Sequence, residues 1–290
     1  TDQAPWIPVN ATNKHYKSLV VMRTILDAIQ ARLAEPPAEQ PVPAPVRVPD
    51  IDGKTLLSTL DLSHKLEKES YKKQLEKYQD RLNELVWDKK FRKHSVVLVF
   101  EGNDAAGKGG AIRRVIQFLD PRRYRVNQYA APTEEERAQP YLWRFWRRIP
   151  QNGHVGIFDR SWYGRVLVER VEKFCSEADW RRAYGEINDF EAEMSQAGIV
   201  VIKFWLAIDK DEQELRFKAR EEPGTKRYKI NFVDGPNREK WDEYTEAVCD
   251  MIDYTSTSIA PLTIVEANDK YYARIKVLKT ICQHIAKRLN

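Results

Sequence analysis

Residues 96–119 read VVLVFEGNDAAGKGGAIRRVIQFL, and the reading of the fold starts there. Val96 to Phe100 is an apolar, β-rich run. EGNDAAGKGG at 101–110 is rich in glycine, and AIRRVIQFL at 111–119 is helical in pattern. A strand, a glycine-rich loop and a helix in that order are the context of a phosphate loop, and Gly102, Gly107 and Lys108 fit GxxxxGK. Glycines let backbone amides close around phosphate oxygens, the helix N-terminus adds its dipole, and the lysine supplies a cation. The predicted phosphate-binding residues are Gly102, Asn103, Ala105, Ala106, Gly107 and Gly109, with Arg113 on the following helix.

Working outward, further β-rich runs at Tyr124 to Tyr129, Val155 to Phe158, Ile199 to Trp205 and Leu262 to Val265 alternate with helical patterns. That alternation predicts an α/β fold with a parallel sheet. Upstream, Leu62, Leu66, Leu75, Tyr78, Leu82 and Leu85 recur at mostly helical spacing, predicting an amphipathic helix over 62–87. Six prolines between Pro36 and Pro49 remove too many amide donors for helix or sheet, so residues 35–50 read as an extended linker, leaving 51–290 as the domain.

The 290 residues allow one large domain or two small ones at about 150 residues each. The longest wholly apolar runs are strand-sized, far short of the roughly 20 residues of a membrane span. Three cysteines, Cys175, Cys249 and Cys282, are widely spaced and odd in number, as in a cytoplasmic protein with reduced thiols. A net charge of +5 suits an anionic partner without requiring nucleic acid. The first residue is Thr, with no secretory signal near it, so the start reads as a cut.

Residues 4–33 align without gaps to 260–289 at an offset of 256, with twelve identical pairs that include Ala4/Ala260, Pro5/Pro261, Lys14/Lys270 and Tyr16/Tyr272. Amphipathicity alone matches apolar positions, but not Ala-Pro, Lys and Tyr in register. The expectation is that residues 1–34 are the last strand and helix, Ile7 to Val9 and Lys14 to Leu33, of a preceding homologous domain. That helix is expected to persist, packed on a foreign surface.

The residue after Lys108 is Gly109, where ordinary P-loop enzymes carry a Ser or Thr hydroxyl on Mg²⁺. Asp104, inside the loop, is the natural replacement, and Asp159 closes the run VGIF where a carboxylate should stand at the carboxyl end of a parallel strand. Asp104 and Asp159 are therefore the predicted metal ligands. Arg160 follows and can reach the same phosphates. Basic residues cluster again in YLWRFWRR at 141–148, read as a track through Arg144, Arg147 and Arg148, and in LRFKAREEPGTKRYK at 215–229. The Glu-Glu-Pro-Gly break in the second suits two lid helices with a joint, carrying Arg220 and Lys226 to Lys229, with Lys226 and Arg227 on phosphate.

FEGNDAAGKGG at 100–110, FDRSWYGR with VERV at 158–171, FKAR followed by KRYK at 217–229, REKWDEY at 238–244 and VEANDKYYARIKVLKT at 265–280 together resemble the polyphosphate kinase 2 family. The resemblance implies a thymidylate-kinase-like P-loop core with a helical lid, moving phosphoryl groups between inorganic polyphosphate and nucleotides with Mg²⁺, or Mn²⁺ in its place. It carries the family's functional residues onto Asp104, Lys108, Asp159, Arg160 and Arg220 as the catalytic set. Glu169, in VERV, falls near the nucleotide or in a buried ion pair. The repeat further resembles fused members that phosphorylate AMP to ADP, with the second domain active. Asn103 and NFVDGP at 231–236 depart from the family's usual residues, which bears on the choice of acceptor. The implied partners are polyphosphate and AMP or ADP, with no nucleic acid and no membrane, and the enzyme is expected to be a homo-oligomer. ADP phosphorylation, an ATP-dependent kinase on the same core, and an inactive polyanion-binding domain are the competing readings.

Overall fold

The computed structural model describes residues 4–34, 55–221 and 240–289, with the side chains of residues 220 and 221 excepted. The chain divides into two units, residues 1–42 and 43–290.

In the first unit, α1 spans Lys14–Ala34, and none of its residues is buried. Ile7 to Val9, expected as a strand in a parent domain, is not in a strand here.

The second unit is built on five strands, β1 Ser95–Gly102, β2 Tyr124–Gln128, β3 Val155–Asp159, β4 Ile199–Ala207 and β5 Leu262–Glu266. They lie in the order β2-β3-β1-β4-β5, and every neighbouring pair is parallel. Among its described residues the helices are α2 Lys68–Trp87, α3 Lys108–Ile116, α4 Glu134–Arg137, α5 Trp143–Trp146, α6 Val168–Val171, α7 Glu177–Gln196, α8 Lys210–Glu221, α9 Trp241–Thr255 and α10 Lys270–Leu289. Each of the five strands expected within residues 51–290 is present.

β1 is apolar from Val96 to Phe100 because both of its faces are covered there, as a central parallel strand requires. Val96, Leu98 and Phe100 point into a core shared with α2, α3 and α10, while Val97 and Val99 point into one shared with α7 and α9. Period-two alternation thus divides one strand between two cores. The sheet order places the carboxyl ends of β1 and β3 side by side, with Phe100 opposite Asp159. A ligand site belongs in the crevice beyond those ends.

Two boundaries differ from expectation. The helix predicted over 62–87 begins at Lys68. Upstream, Asp61 accepts hydrogen bonds from the Ser63 amide at 3.0 Å and hydroxyl at 2.5 Å, a local turn that competes with helix. Leu62 still reaches the core, but from non-helical backbone. The helix after the P-loop begins at Lys108, earlier than Ala111, because left-handed Gly107 is its N-cap.

Candidate active site

The loop between β1 and α3 owes its shape to three residues at positive φ: Gly102 at +149°, Ala105 at +65° and Gly107 at +102°. At Gly102 only glycine fits, because a Cβ there would lie 2.5 Å from the Leu206 carbonyl oxygen of β4. Alternating backbone of this kind forms a concave anion nest, closed here by the N-terminus of α3.

Neighbouring elements hold the loop. The Asn103 amide donates to Leu206 O at 3.2 Å, and its side-chain oxygen accepts from the Ile208 amide at 3.2 Å. From α8, Gln213 donates to Asp104 O at 3.1 Å and Arg216 to Ala105 O at 2.9 Å. The Arg216 guanidinium also reaches Ala267 O and Asn268 O, at 2.7 and 2.8 Å, tying the end of β5 to the loop. Lys108 Nζ donates to Gly102 O at 2.6 Å, so the ammonium lies across the mouth of the loop.

A cavity of about 120 Å³ opens beside the loop, and Asp104, Lys108 and Arg160 line it together. Trp205, Trp241 and Tyr244 supply its aromatic wall. On the other flank lies a cavity of about 410 Å³ bordered by Lys270, Arg274 and the Arg216–Glu212 ion pair, with no aromatic side chain among its described lining residues. The P-loop thus borders two cavities, and of these only the first has aromatic side chains among its described lining residues. Asp159 stands at the end of β3, where Gln128 donates to its Oδ2 at 3.4 Å. Beyond it Arg160 is a non-glycine residue at φ +65°.

Glu101, the last residue of β1 before Gly102, is buried and accepts the Ser161 hydroxyl at 2.7 Å. Burial pushes its carboxyl upward, and nearby Asp159 adds to that, while Lys108 and the Ser161 hydrogen bonds pull it down. The Tyr244 hydroxyl is raised by burial and by the Glu172 carboxylate beside it.

The structure thus brings Asp104, Lys108 and Arg160 into one cavity, on the expected loop and turn. Glu169 is not among its lining: it pairs with Arg165 at 2.8 Å and borders a neighbouring cavity. Arg113 is exposed on α3. Arg144 lies over the Tyr129 ring at 4.8 Å and pairs with Glu136 at 3.5 Å, and Arg147 stacks on Trp143 at 4.4 Å, so both have local structural partners. Arg220 falls in α8 with its side chain outside the described atoms, and Lys226 and Arg227 lie outside the described residues, as does the joint of the expected lid.

Sequence reasoning passed over Glu101, Ser161, Gln213, Arg216 and the aromatic wall. The REKWDEY motif contains Trp241 and Tyr244, and the basic run at 215–229 contains Arg216, but nothing in either pattern said which members face the loop.

Among the described residues no helix is long and apolar enough to cross a membrane. The family profile of Polyphosphate kinase 2 (PPK2) matches residues 65–290. A polyphosphate:AMP phosphotransferase of Pseudomonas aeruginosa is 60% identical over 282 residues, covering 97% of this chain and 57% of its own length. Another of that name, from Pseudomonas syringae pv. tomato, is 55% identical over 288 residues, covering 99% and 58%. The chain thus spans less than two thirds of these curated relatives. A Pseudomonas aeruginosa crystal structure assigned to polyphosphate kinase 2 superposes with a TM-score of 0.89 at 57% identity, over 99% of this chain and 60% of that one. The Polyphosphate Kinase 2 structure from Arthrobacter aurescens TC1 gives 0.76 at 34% identity, over 81% and 86%. With a five-stranded parallel sheet, a P-loop on its central strand and matches of this extent, the chain belongs to the polyphosphate kinase 2 family and has its P-loop kinase fold.

Proposed function

We propose that residues 43–290 transfer a phosphoryl group from inorganic polyphosphate to AMP, giving ADP. The observation that carries this reading is the pair of compartments at the P-loop. The aromatic one, with Trp205, Trp241 and Tyr244, suits a nucleoside, and the one edged by Lys270 and Arg274 suits an inorganic polyanion. The names of the relatives at 55–60% identity supply the acceptor, AMP.

Both substrates are anions, so in-line transfer requires cations that suppress their repulsion and hold them in register. Lys108 and Arg160, which line one cavity, would stabilise charge on the transferred group, and the family resemblance adds Arg220 of α8 to them. A phosphate monoester with second pKa near 6 is largely ionised at neutral pH, so Asp104 need not be a strong base.

Among the described residues no three His, Cys, Asp or Glu side chains group into a metal cage. Two carboxylates are nonetheless the donor set that suits Mg²⁺, which keeps several waters and completes its shell with substrate phosphates. Asp104 and Asp159 would hold it, with Mn²⁺ as a substitute, and the ion would supply positive charge against that of the substrate phosphates. The same reading gives Glu169 an indirect part, through Arg165, at the nucleotide side. It makes the protein a cytoplasmic homo-oligomer that binds neither nucleic acid nor membrane.

Residues 1–34 fit a second proposal, that they are the last strand and helix of a preceding homologous domain. Under the offset of 256, α1 superimposes in sequence on α10. Leu19, Met22, Leu26, Ile29 and Leu33 are exposed, whereas their counterparts Ile275, Leu278, Cys282, Ile285 and Leu289 are buried. Such a stripe is what a helix keeps when its own core is elsewhere.

The test is purified protein with Mg²⁺ and AMP, supplied with polyphosphate or ATP in parallel and with nucleotides resolved by chromatography. ADP formed from polyphosphate supports the reading. Turnover only with ATP overturns it in favour of an ordinary nucleotide kinase.

A further inference from the structure

The turn that follows β3 has a problem of backbone geometry. Asp159 ends the strand, and Arg160 then adopts φ +65°, a left-handed conformation that costs a non-glycine residue about 1–2 kcal/mol. Such strain persists only where the surroundings over-determine it. Downstream the turn is anchored in the core, since Trp162 and Tyr163 are fully buried and both donate to Glu191 Oε1, at 3.0 and 2.7 Å. Towards β1, the Arg160 amide makes only a long bond, 3.3 Å, to Phe100 O.

The short contact there is the 2.7 Å hydrogen bond from the Ser161 hydroxyl to Glu101. Ser161 is itself fixed, because its Oγ accepts from the Tyr163 amide at 3.3 Å and caps the turn at Trp162–Arg165. Glu101 is fixed by the sheet, in register with Trp205 of β4. A carboxylate at this buried strand position costs desolvation that an apolar residue would avoid. Its presence argues for a task other than stability.

We propose that Glu101 is a positioning residue for phosphoryl transfer: by accepting the Ser161 hydroxyl it clasps the β3 turn to the end of β1 and keeps Arg160 in the backbone conformation that places it beside Asp104 and Lys108. The clasp joins the two strand ends that carry the reaction's charged groups, the P-loop on one side and Asp159 with Arg160 on the other. Its effect is on turnover, through the position of Arg160, and it rests on the reading of this site as a phosphotransferase.

The experiment is a double-mutant cycle on the full chain with Glu101→Ala, Ser161→Ala and both together, plus Glu101→Gln. Each single alanine variant should lower kcat about ten-fold or more with the KM for AMP within about three-fold, and the double should be no slower than the worse single. Glu101→Gln should recover a large part of what Glu101→Ala loses, because the amide oxygen can accept the same hydroxyl. Additive losses, a Ser161→Ala variant with wild-type kcat, or a glutamine variant as slow as alanine would overturn the clasp; the last result would point to proton acceptance by Glu101. Lowered melting temperatures with unchanged kcat would overturn it too, in favour of a purely structural contact. Wild-type enzyme assayed alongside isolates the other failure, because no ADP from wild type counts against the functional reading alone. A crystal structure of Ser161→Ala reads the clasp without turnover: Arg160 should leave the left-handed region, and a φ still near +65° would contradict the proposal.

Discussion

The Nζ of Lys203 on β4 lies 2.7 Å from Oε2 of Glu191 on α7, and both side chains are buried. Lys203 also donates to Tyr163 Oη at 2.8 Å and to Thr255 O at 2.7 Å, so the pair joins the sheet to α7, α9 and the turn after β3. Burial raises the Glu191 carboxyl and lowers the Lys203 ammonium, and their mutual attraction opposes both shifts. Removing one partner leaves an uncompensated charge in the core. Glu191→Leu or Lys203→Met alone should therefore cost about 3–5 kcal/mol in urea unfolding, whereas the double variant should regain most of that loss. A double variant as unstable as the singles would show that the contact is not an ion pair in energetic terms.

Two glycines of the P-loop segment should behave oppositely. Gly102→Ala puts a methyl group 2.5 Å from the Leu206 carbonyl oxygen at a φ that alanine avoids. That should cost about 1–3 kcal/mol of stability and distort the loop. Gly109, inside α3, has nothing within 4 Å of its would-be Cβ. Gly109→Ala should leave stability unchanged or raise it by up to about 1 kcal/mol. Thermal unfolding of the two variants side by side checks the contrast.

Asp104→Asn and Asp159→Asn should each lower turnover about 100-fold or more, on the order of 3 kcal/mol of lost transition-state stabilisation. Steady-state rates at saturating Mg²⁺, with circular dichroism to confirm folding, provide the measurement. Wild-type turnover in either folded variant removes that residue from the site.

At Asp120, hydrogen bonds from the Arg122 side chain and then its amide lower the carboxyl from 3.8 to about 2. The folded state holds this proton more weakly than the unfolded one, so the contribution to stability is complete above pH 3.8 and is lost as pH falls towards 2. Asp120→Asn should flatten that part of the acid limb and leave neutral pH little affected. Carboxyl titration by NMR should place the group near 2, and a value of 3.8 or above would contradict the hydrogen-bonded cap.

The strands and the P-loop were legible because their signals are local: β1 is a continuous apolar run with a glycine motif at its end. The place of Asp159 at the end of β3 was legible for the same reason, as the first charge after VGIF. Glu101 was not, because its meaning depends on Ser161, 60 residues away and brought opposite only by the pairing of β1 with β3. Lys203 likewise looks anomalous in the run IVVIKFWLA until α7 supplies Glu191. The start of α2 was misread because Leu62 and Leu66 satisfy helical spacing while the turn at Asp61 to Ser63 takes the backbone elsewhere. Periodicity records burial, and burial does not require a helix.

The fate of the donor phosphate tests phosphoryl transfer from polyphosphate to AMP most directly. Phosphorus NMR of purified protein with polyphosphate, Mg²⁺ and AMP should show the AMP signal replaced by the two ADP signals while interior polyphosphate signal declines, one phosphate for each ADP formed. Intact polyphosphate in a folded, metal-supplied sample, or AMP left unreacted while added ADP becomes ATP, would contradict it.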